Sequence, residues 1–390
     1  MKLELERQDF LKAWQIAERI AQTKTAKDST NGILITATDT EITLQATDLK
    51  TSVKCKAVGA NVIEPGSAVV PATILGSMLK KAASEDLVLE VSSSRGILRA
   101  GGNKTRFAVL PAEEFPSIPA SSDASLVCEL KAAVLAQAII EGGVAASQPL
   151  DFPRYIGTCF FKTCEGCLKI ASTDGKRLSV SKVVCDSMAK EQEFLLNAPA
   201  SKDFAKTLSA SYSDNNVKIL ADESTTAWFQ LDDVEFSMRR VEANFPPYER
   251  ILNSEVYTSL KIKSSDLLPV LDRIDIIARE TAAHIMALNL NPENSTVKVT
   301  ARAPEKGTAS ETLQAVITGS NLDIGFNMSY FQDGLKVLGQ CVATIEFSSE
   351  DGQTRMKRND NEESFMYMLM PARLTLQDRL TDEEIEEIDI

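Results

Sequence analysis

The sequence predicts an α+β chain of three tandem, like domains, each with two helices laid on antiparallel sheet. Three observations carry this. An alternating, strand-like run ends in turn chemistry at Leu44-Gln45-Ala46-Thr47-Asp48-Leu49 and again at Cys167-Leu168-Lys169-Ile170-Ala171-Ser172-Thr173-Asp174-Gly175. Val297-Lys298-Val299-Thr300-Ala301 repeats it with Arg302 where the aspartate would stand. Thr47, Thr173 and Thr300 are spaced by 126 and 127 residues, too long a period for a solenoid and suited to tandem domains. Pro71, Pro199 and Asn327 open helical runs at two intervals of 128 residues. Several short alternating runs accompany two helical ones in each third, which implies mainly antiparallel sheet with helices on one face.

In chain order, the first helix of each third is Asp9 to Ile20, Lys131 to Glu141 and Ser264 to Arg279, the last opened by the start signal Ser264-Ser265-Asp266. The second helices are Pro71 to Lys81, Pro199 to Leu208 and Asn327 to Leu338. Pro71 and Pro199 suit a first helical turn, where a missing N–H costs nothing. Ile33 to Ala37 and Glu41 to Ala46 read as strands around Asp39-Thr40, and Val88 to Ser92 and Ile97 to Ala100 as strands around Arg95-Gly96. Glu114-Phe115-Pro116-Ser117-Ile118-Pro119 closes the first third and Asn244-Phe245-Pro246-Pro247-Tyr248 the second, with Pro119 to Ser125 a linker. The expected domains are 1–122, 123–253 and 254–374, followed by an acidic tail, 375–390.

At 390 residues, 44% hydrophobic and 25% charged, the chain has room for several globular cores. No run approaches a membrane span, and Met1-Lys2-Leu3-Glu4-Leu5-Glu6-Arg7 lacks the apolar core of a signal peptide, so a cytoplasmic protein with no membrane partner is expected. A net charge of −13 argues against an ordinary electrostatic grip on DNA. Six of those charges come from Asp378 to Ile390, which carries seven acids against Arg379.

The seven cysteines are an odd set in a chain read as cytosolic, which suggests free, mostly packed thiols. Cys159, Cys164, Cys167 and Cys185 mimic part of an iron–sulfur spacing. Against that, Glu165-Gly166 reads as a two-residue hairpin turn that sets Cys164 opposite Cys167. The one histidine, His284, sits in the apolar run Ala282-Ala283-His284-Ile285-Met286 and reads as packing. No metal and no cofactor are expected.

Four motifs on this threefold repeat carry a family resemblance: Thr173-Asp174-Gly175-Lys176-Arg177-Leu178, Asn244-Phe245-Pro246-Pro247-Tyr248-Glu249-Arg250, Ile324-Gly325-Phe326-Asn327-Met328-Ser329-Tyr330, and Met370-Pro371-Ala372-Arg373-Leu374. To Leu374 the chain resembles the bacterial sliding clamps, the beta subunits of DNA polymerase III. The resemblance implies a non-catalytic processivity factor, two chains joined head to tail in a ring, with helices lining the hole and sheets forming the rim. Encirclement holds duplex DNA topologically, which reconciles an acidic protein with sequence-independent DNA association. Only the bore needs cations, and Lys12, Arg19, Lys24, Lys80, Lys81, Lys202, Lys206, Arg273 and Lys336 lie on or beside the inner helices, tempered by Asp9, Glu18, Asp203, Asp272 and Asp333. By resemblance Lys24, Lys80, Gln148, Arg154 and Lys202 touch DNA.

The resemblance also implies a pocket for short partner peptides, walled by Tyr155, Thr173, Gly175, Lys176, Arg177, Leu178, Pro246, Arg250, Ile251, Asn327, Tyr330, Met370, Pro371, Ala372, Arg373 and Leu374. Its expected visitors are the DNA polymerase III catalytic subunit, the clamp loader and other replication and repair proteins. The homodimer seam is expected between Arg106 to Leu110, carrying Phe107 and Val109, and the run Thr296 to Thr300 beside Ile276 and Ile277. Thr25 to Gly32 and the small Ala372 depart from the family pattern. The tail past Leu374 is a further departure: it reads as a solvated acidic helix or a disordered extension, and the alternative, since Gln377 with Leu380 loosely resembles the peptide pattern, is a weak tethered competitor for the pocket. An enzyme built on the cysteine cluster and a non-replicative scaffold on the same fold remain the competing readings.

Overall fold

The computed structural model describes the chain except residues 22–27, 148–152, 224, 253–254, 361–363, 376–377 and 381–390. Among the described residues there are six α-helices: α1 (Arg7–Ala21), α2 (Ala72–Lys81), α3 (Ala132–Gly142), α4 (Ala198–Ser211), α5 (Ser264–Ala278) and α6 (Met328–Leu338). All six fall where the repeat places them. Pro199 lies inside the first turn of α4, whereas Pro71 ends the strand Gly66–Pro71 and stands just before α2.

The chain divides into two compact units, one of residues 1–133, 185–191 and 207–240 and one of residues 134–184, 192–206 and 241–390. In the first, a five-stranded sheet runs in the order Ala60–Glu64, Lys2–Glu6, Asp86–Ser92, Arg95–Ala100, Asn103–Ala108. A nine-stranded sheet joins strands from two thirds of the sequence, because Thr51–Lys56 pairs antiparallel with Val234–Arg239. The second unit repeats the device: Arg177–Val184 pairs with Phe365–Leu369 inside another nine-stranded sheet. Its four-stranded sheet runs Gly307–Gln314, Thr296–Ala303, Ile285–Asn291, Leu322–Asn327.

Helices cover these sheets with the apolar faces their periodicity supplies. In the first unit Phe10 and Trp14 of α1 are fully buried, and Trp14 Nε1 donates to the Ala72 carbonyl at 3.1 Å, which fixes α1 against the start of α2. In the second, Leu267, Leu271 and Ile274 of α5 and Met328, Phe331 and Leu335 of α6 share one core with Phe326, Phe347 and Tyr367.

The Glu165-Gly166 turn forms as read: both residues have positive φ, 53° and 76°, and Cys164 faces Cys167 in the strand register. Burial pushes the Cys159 thiol up to about 12, which keeps it a protonated, packed side chain at neutral pH. Among the described residues no group of three or more His, Cys, Asp or Glu side chains could hold a metal ion.

Four readings change. The hairpin near residue 95 turns at Ser93-Ser94, with Ser93 at φ 50°, and Gly96 lies within the strand Arg95–Ala100. Glycine is needed there because a Cβ would stand 2.3 Å from the Phe107 ring. Thr296–Ala303 is not an edge, being paired on both sides; Gly307–Gln314 is the edge beside it, too polar to read as a strand from its sequence. Phe107 and Val109 are only 8% and 3% exposed in the single chain, so their side chains belong to its own core, while Ile276 is 60% exposed. His284 is no packing residue: at φ 51° it bonds Asp275 through Nε2 at 2.5 Å and Ser329 through Nδ1 at 3.0 Å, tying α5 to α6. Burial raises the Asp275 pKa, but bonds from His284 and Arg279 outweigh it and hold the carboxyl below its ordinary value.

Candidate functional site

The stretch Thr173 to Leu178 is built as a hydrogen-bonded turn whose residue types follow from its geometry. Thr173 Oγ1 donates to the Arg177 carbonyl at 2.7 Å and accepts from the Gly175 N–H at 3.1 Å, while Asp174 Oδ1 accepts from the N–H groups of Lys176 and Arg177 at 3.0 Å each. Gly175 takes φ 86°, and a side chain there would be strained. The turn leaves Gly175 and Lys176 exposed and sends Arg177 inward.

Arg177 is the hub. Its side chain is 9% exposed, and it donates to Asp174 at 2.9 Å, to Asp333 of α6 at 2.6 Å and to the Tyr367 hydroxyl at 3.3 Å. Its guanidinium lies 4.2 Å from the centre of the Tyr330 ring, a cation–π contact strengthened by partial desolvation. Tyr367 in turn donates to the Tyr330 carbonyl at 2.8 Å. Burial works against the Arg177 charge, yet Tyr367 and Asp333 hold its pKa above the ordinary arginine value. Asn327 caps α6 by accepting from the Tyr330 N–H at 3.1 Å, so helix start, ring and arginine are fixed together.

The last motif reaches the same place. Met370 N–H donates to the Lys176 carbonyl at 2.9 Å, which leaves the Met370 side chain 50% exposed beside the turn. Ala372 N–H donates to the Gly325 carbonyl at 2.8 Å. Gly325 permits this closeness, since a Cβ there would stand 2.6 Å from Leu374 Cδ2 and 2.7 Å from the Ala372 carbonyl oxygen. Pro371, Ala372 and Leu374 are half-buried and Arg373 is exposed.

The proline motif is tied to the turn through a small apolar cluster. Leu178, Phe160, Tyr248 and Met368 are buried together, with Phe245 packed against them. Phe245 stacks on Phe160 at 4.8 Å and meets the edge of Tyr155 at 6.1 Å. Pro246 is half-buried, and the 3-10 turn Tyr248–Ile251 projects Arg250 and Ile251 outward, Ile251 at 48% exposure. Gln353 holds the Ile251 carbonyl at 2.9 Å. The surface thus combines exposed Met370 and Ile251 with Lys176, Arg250 and Arg373, none of them ion-paired among the described residues. Such a mixture suits an extended peptide with apolar and polar side chains.

Asp333 and Tyr367 are the parts that sequence reasoning missed. Asp333 read as an acid tempering the bore, but its carboxylate belongs to the Arg177 network. Of the DNA candidates, Lys24 and Gln148 lie outside the described residues. Lys80 is exposed and paired with Glu18 at 2.7 Å, and Arg154 is exposed. Lys202 is half-buried on α4, and burial, with Arg177 and Lys206 near, lowers its pKa. Lys12, Lys206 and Arg273 pair with Asp9, Asp203 and Glu311, which offsets part of the positive charge on and beside the helices. In the tail, Thr375 donates to Asp378 and Arg379 pairs with Asp323, while Gln377 lies outside the described residues.

Residues 1–119 match the family described as DNA polymerase III beta subunit, N-terminal domain, and residues 249–373 the one described as DNA polymerase III beta subunit, C-terminal domain. The beta sliding clamp of Pseudomonas aeruginosa is 25% identical over 380 residues, spanning 96% of this chain and 100% of that protein. The structure of a sliding clamp from the same organism bound to griselimycin aligns with a TM-score of 0.89 at 24% identity, over 96% of this chain and 100% of that one. The beta subunit from the DNA polymerase of Streptococcus pyogenes aligns with a TM-score of 0.89 at 22% identity and the same coverage. At those identities the structures establish the fold. With both family domains matched in order and a relative aligned over its full length, the chain belongs to the bacterial DNA polymerase III beta subunits, the beta sliding clamps.

Proposed function

We propose that this sliding clamp works as a homodimeric ring of six like domains, closed head to tail around duplex DNA, with no catalytic chemistry of its own. The pocket around Arg177 then tethers the DNA polymerase III catalytic subunit, and by turns the clamp loader and repair proteins. The observation that carries the tethering is the surface just described: an arginine-centred wall held rigid by Asp174, Asp333, Tyr330 and Tyr367, beside exposed Met370 and Ile251. A rigid wall with an adaptable methionine fits one site that serves several partners. Lys24, Lys80, Gln148, Arg154 and Lys202 remain the proposed DNA contacts, and 1–122, 123–253 and 254–374 the proposed domains. Work on replicating DNA would place the protein in the cytoplasm. Among the described residues no helix is long and apolar enough to cross a membrane.

Two edge strands favour ring closure. Asn103–Ala108 and Gly307–Gln314 each end a sheet with one side unpaired in the single chain, and exposed edges are ordinarily covered. Ile276 on α5 adds an exposed apolar side chain, 60% accessible. Ile276→Asp is expected to shift the protein from dimer toward monomer at micromolar concentration, with folding stability changed by no more than about 0.5 kcal/mol, as is usual for an exposed site. Sedimentation equilibrium reads the mass. An unchanged dimer would rule Ile276 out of the seam, and a monomeric parent protein would sink the ring itself.

A further inference from the structure

The Thr173 turn has a near copy in the other unit. Thr47 Oγ1 donates to the Thr51 carbonyl at 3.0 Å and accepts from the Leu49 N–H at 3.0 Å. Asp48 Oδ1 accepts from the N–H groups of Lys50 and Thr51 at 2.9 and 2.6 Å. Even the neighbouring strand closes alike: the Arg239 N–H donates to the Lys50 carbonyl at 2.8 Å, as Met370 does to Lys176. Lys50 therefore occupies the place of Lys176, Arg239 that of Met370, and Leu49 that of Gly175.

The scaffold is the same and the chemistry differs. Behind this turn lies a cavity of about 280 Å³ that includes Lys50, Arg239, Thr225, Ser237 and Ser117 in its lining. The Lys50 and Arg239 side chains are exposed and make no ion pair among the described residues, so two cations face a hydroxyl-lined hollow. Leu49 sits at the rim, 55% exposed and at φ 73°, a backbone conformation that favours glycine, which the sister turn has.

We infer that this hollow is a second docking site, for an acidic, extended peptide segment of a partner protein, with a carboxylate between Lys50 and Arg239 and an apolar neighbour on Leu49. Its lining residues all come from strands and connections and none from a helix, which separates it from a DNA-lining role. The inference rests on the reading of the Thr173 turn as a peptide pocket for its scaffold, and on Lys50, Arg239 and Leu49 for its chemistry.

The test uses the full chain and a fluorescein-labelled peptide, Glu-Asp-Leu-Glu-Asp-Leu-Glu-Asp, titrated by anisotropy. Lys50→Glu with Arg239→Glu is expected to weaken binding at least tenfold, and Leu49→Gly several-fold. The control pair Lys131→Glu with Lys218→Glu, of equal charge change, should leave it within twofold. Met370→Asp, in the first pocket, should also leave it unchanged. No binding to the parent chain, equal loss in the control pair, or binding unaffected by the Lys50 and Arg239 reversal would each overturn the second site. Loss confined to Met370→Asp would overturn it as well, while leaving the first pocket standing.

Discussion

Arg177→Ala is expected to destabilise the chain by about 3–5 kcal/mol, the range for removing one partner of a buried ion pair. The loss is large because two of the groups left behind, Asp174 and Tyr367, have little access to water. Asp174 has a side chain 8% exposed and would lose its 2.9 Å guanidinium contact. Tyr330 would lose its cation–π partner, and Tyr367 one of its two hydrogen bonds. Asp333 is 44% exposed and can rehydrate, so Asp333→Asn is expected to cost far less, about 1 kcal/mol. Urea unfolding of the parent, both single variants and the double variant separates the terms. A loss below 1 kcal/mol for Arg177→Ala would mean that the network is not what holds the pocket wall.

Gly325→Val is expected to weaken a glutamine- and leucine-bearing peptide at least tenfold while costing the fold only about 1–3 kcal/mol, the usual range for overpacking. The added atoms collide first with Leu374 Cδ2 at 2.6 Å and the Ala372 carbonyl at 2.7 Å, both on the segment that completes the pocket. A side chain can rotate away but a carbonyl cannot, so residues 371–374 must lift off and the Ala372 to Gly325 hydrogen bond must break. Faster hydrogen exchange at the Ala372 amide reports the displacement directly. Unchanged peptide affinity with a lifted segment would remove Met370 to Leu374 from the site.

Much of this was legible before any coordinates. Helix periodicity and the 128-residue spacing placed all six helices, because each helix exposes one face and buries another and so writes its period into the chain. The Thr173 turn was legible for a similar reason: threonine, aspartate and glycine each answer a local backbone requirement. Long-range chemistry was not. Arg177 meets Asp333 and Tyr367 across 156 and 190 residues, and no local pattern marks such a meeting. One edge was legible, since Arg106 to Ala108 lies in Asn103–Ala108 at the end of its sheet. The other was missed because Gly307–Gln314 is held by backbone pairing and needs few apolar side chains, while Thr296–Ala303, which looked like an edge, alternates because one of its faces is core. Phe107 shows the remaining ambiguity: alternation along a strand says that two faces differ, but Gly96 opposite it decides which face is inside.

The proposed ring explains how a chain of net charge −13 stays on DNA: its hold is topological and needs little phosphate neutralisation. Retention on nicked circular DNA, compared with the same DNA linearised after loading by a clamp loader, tests that claim most directly. Gel filtration in about 0.5 M salt, where contacts to phosphate are largely screened, should keep the protein with the circle and release it from the linear molecule, whatever the DNA sequence. Equal retention on both forms, or release from both, would contradict encirclement.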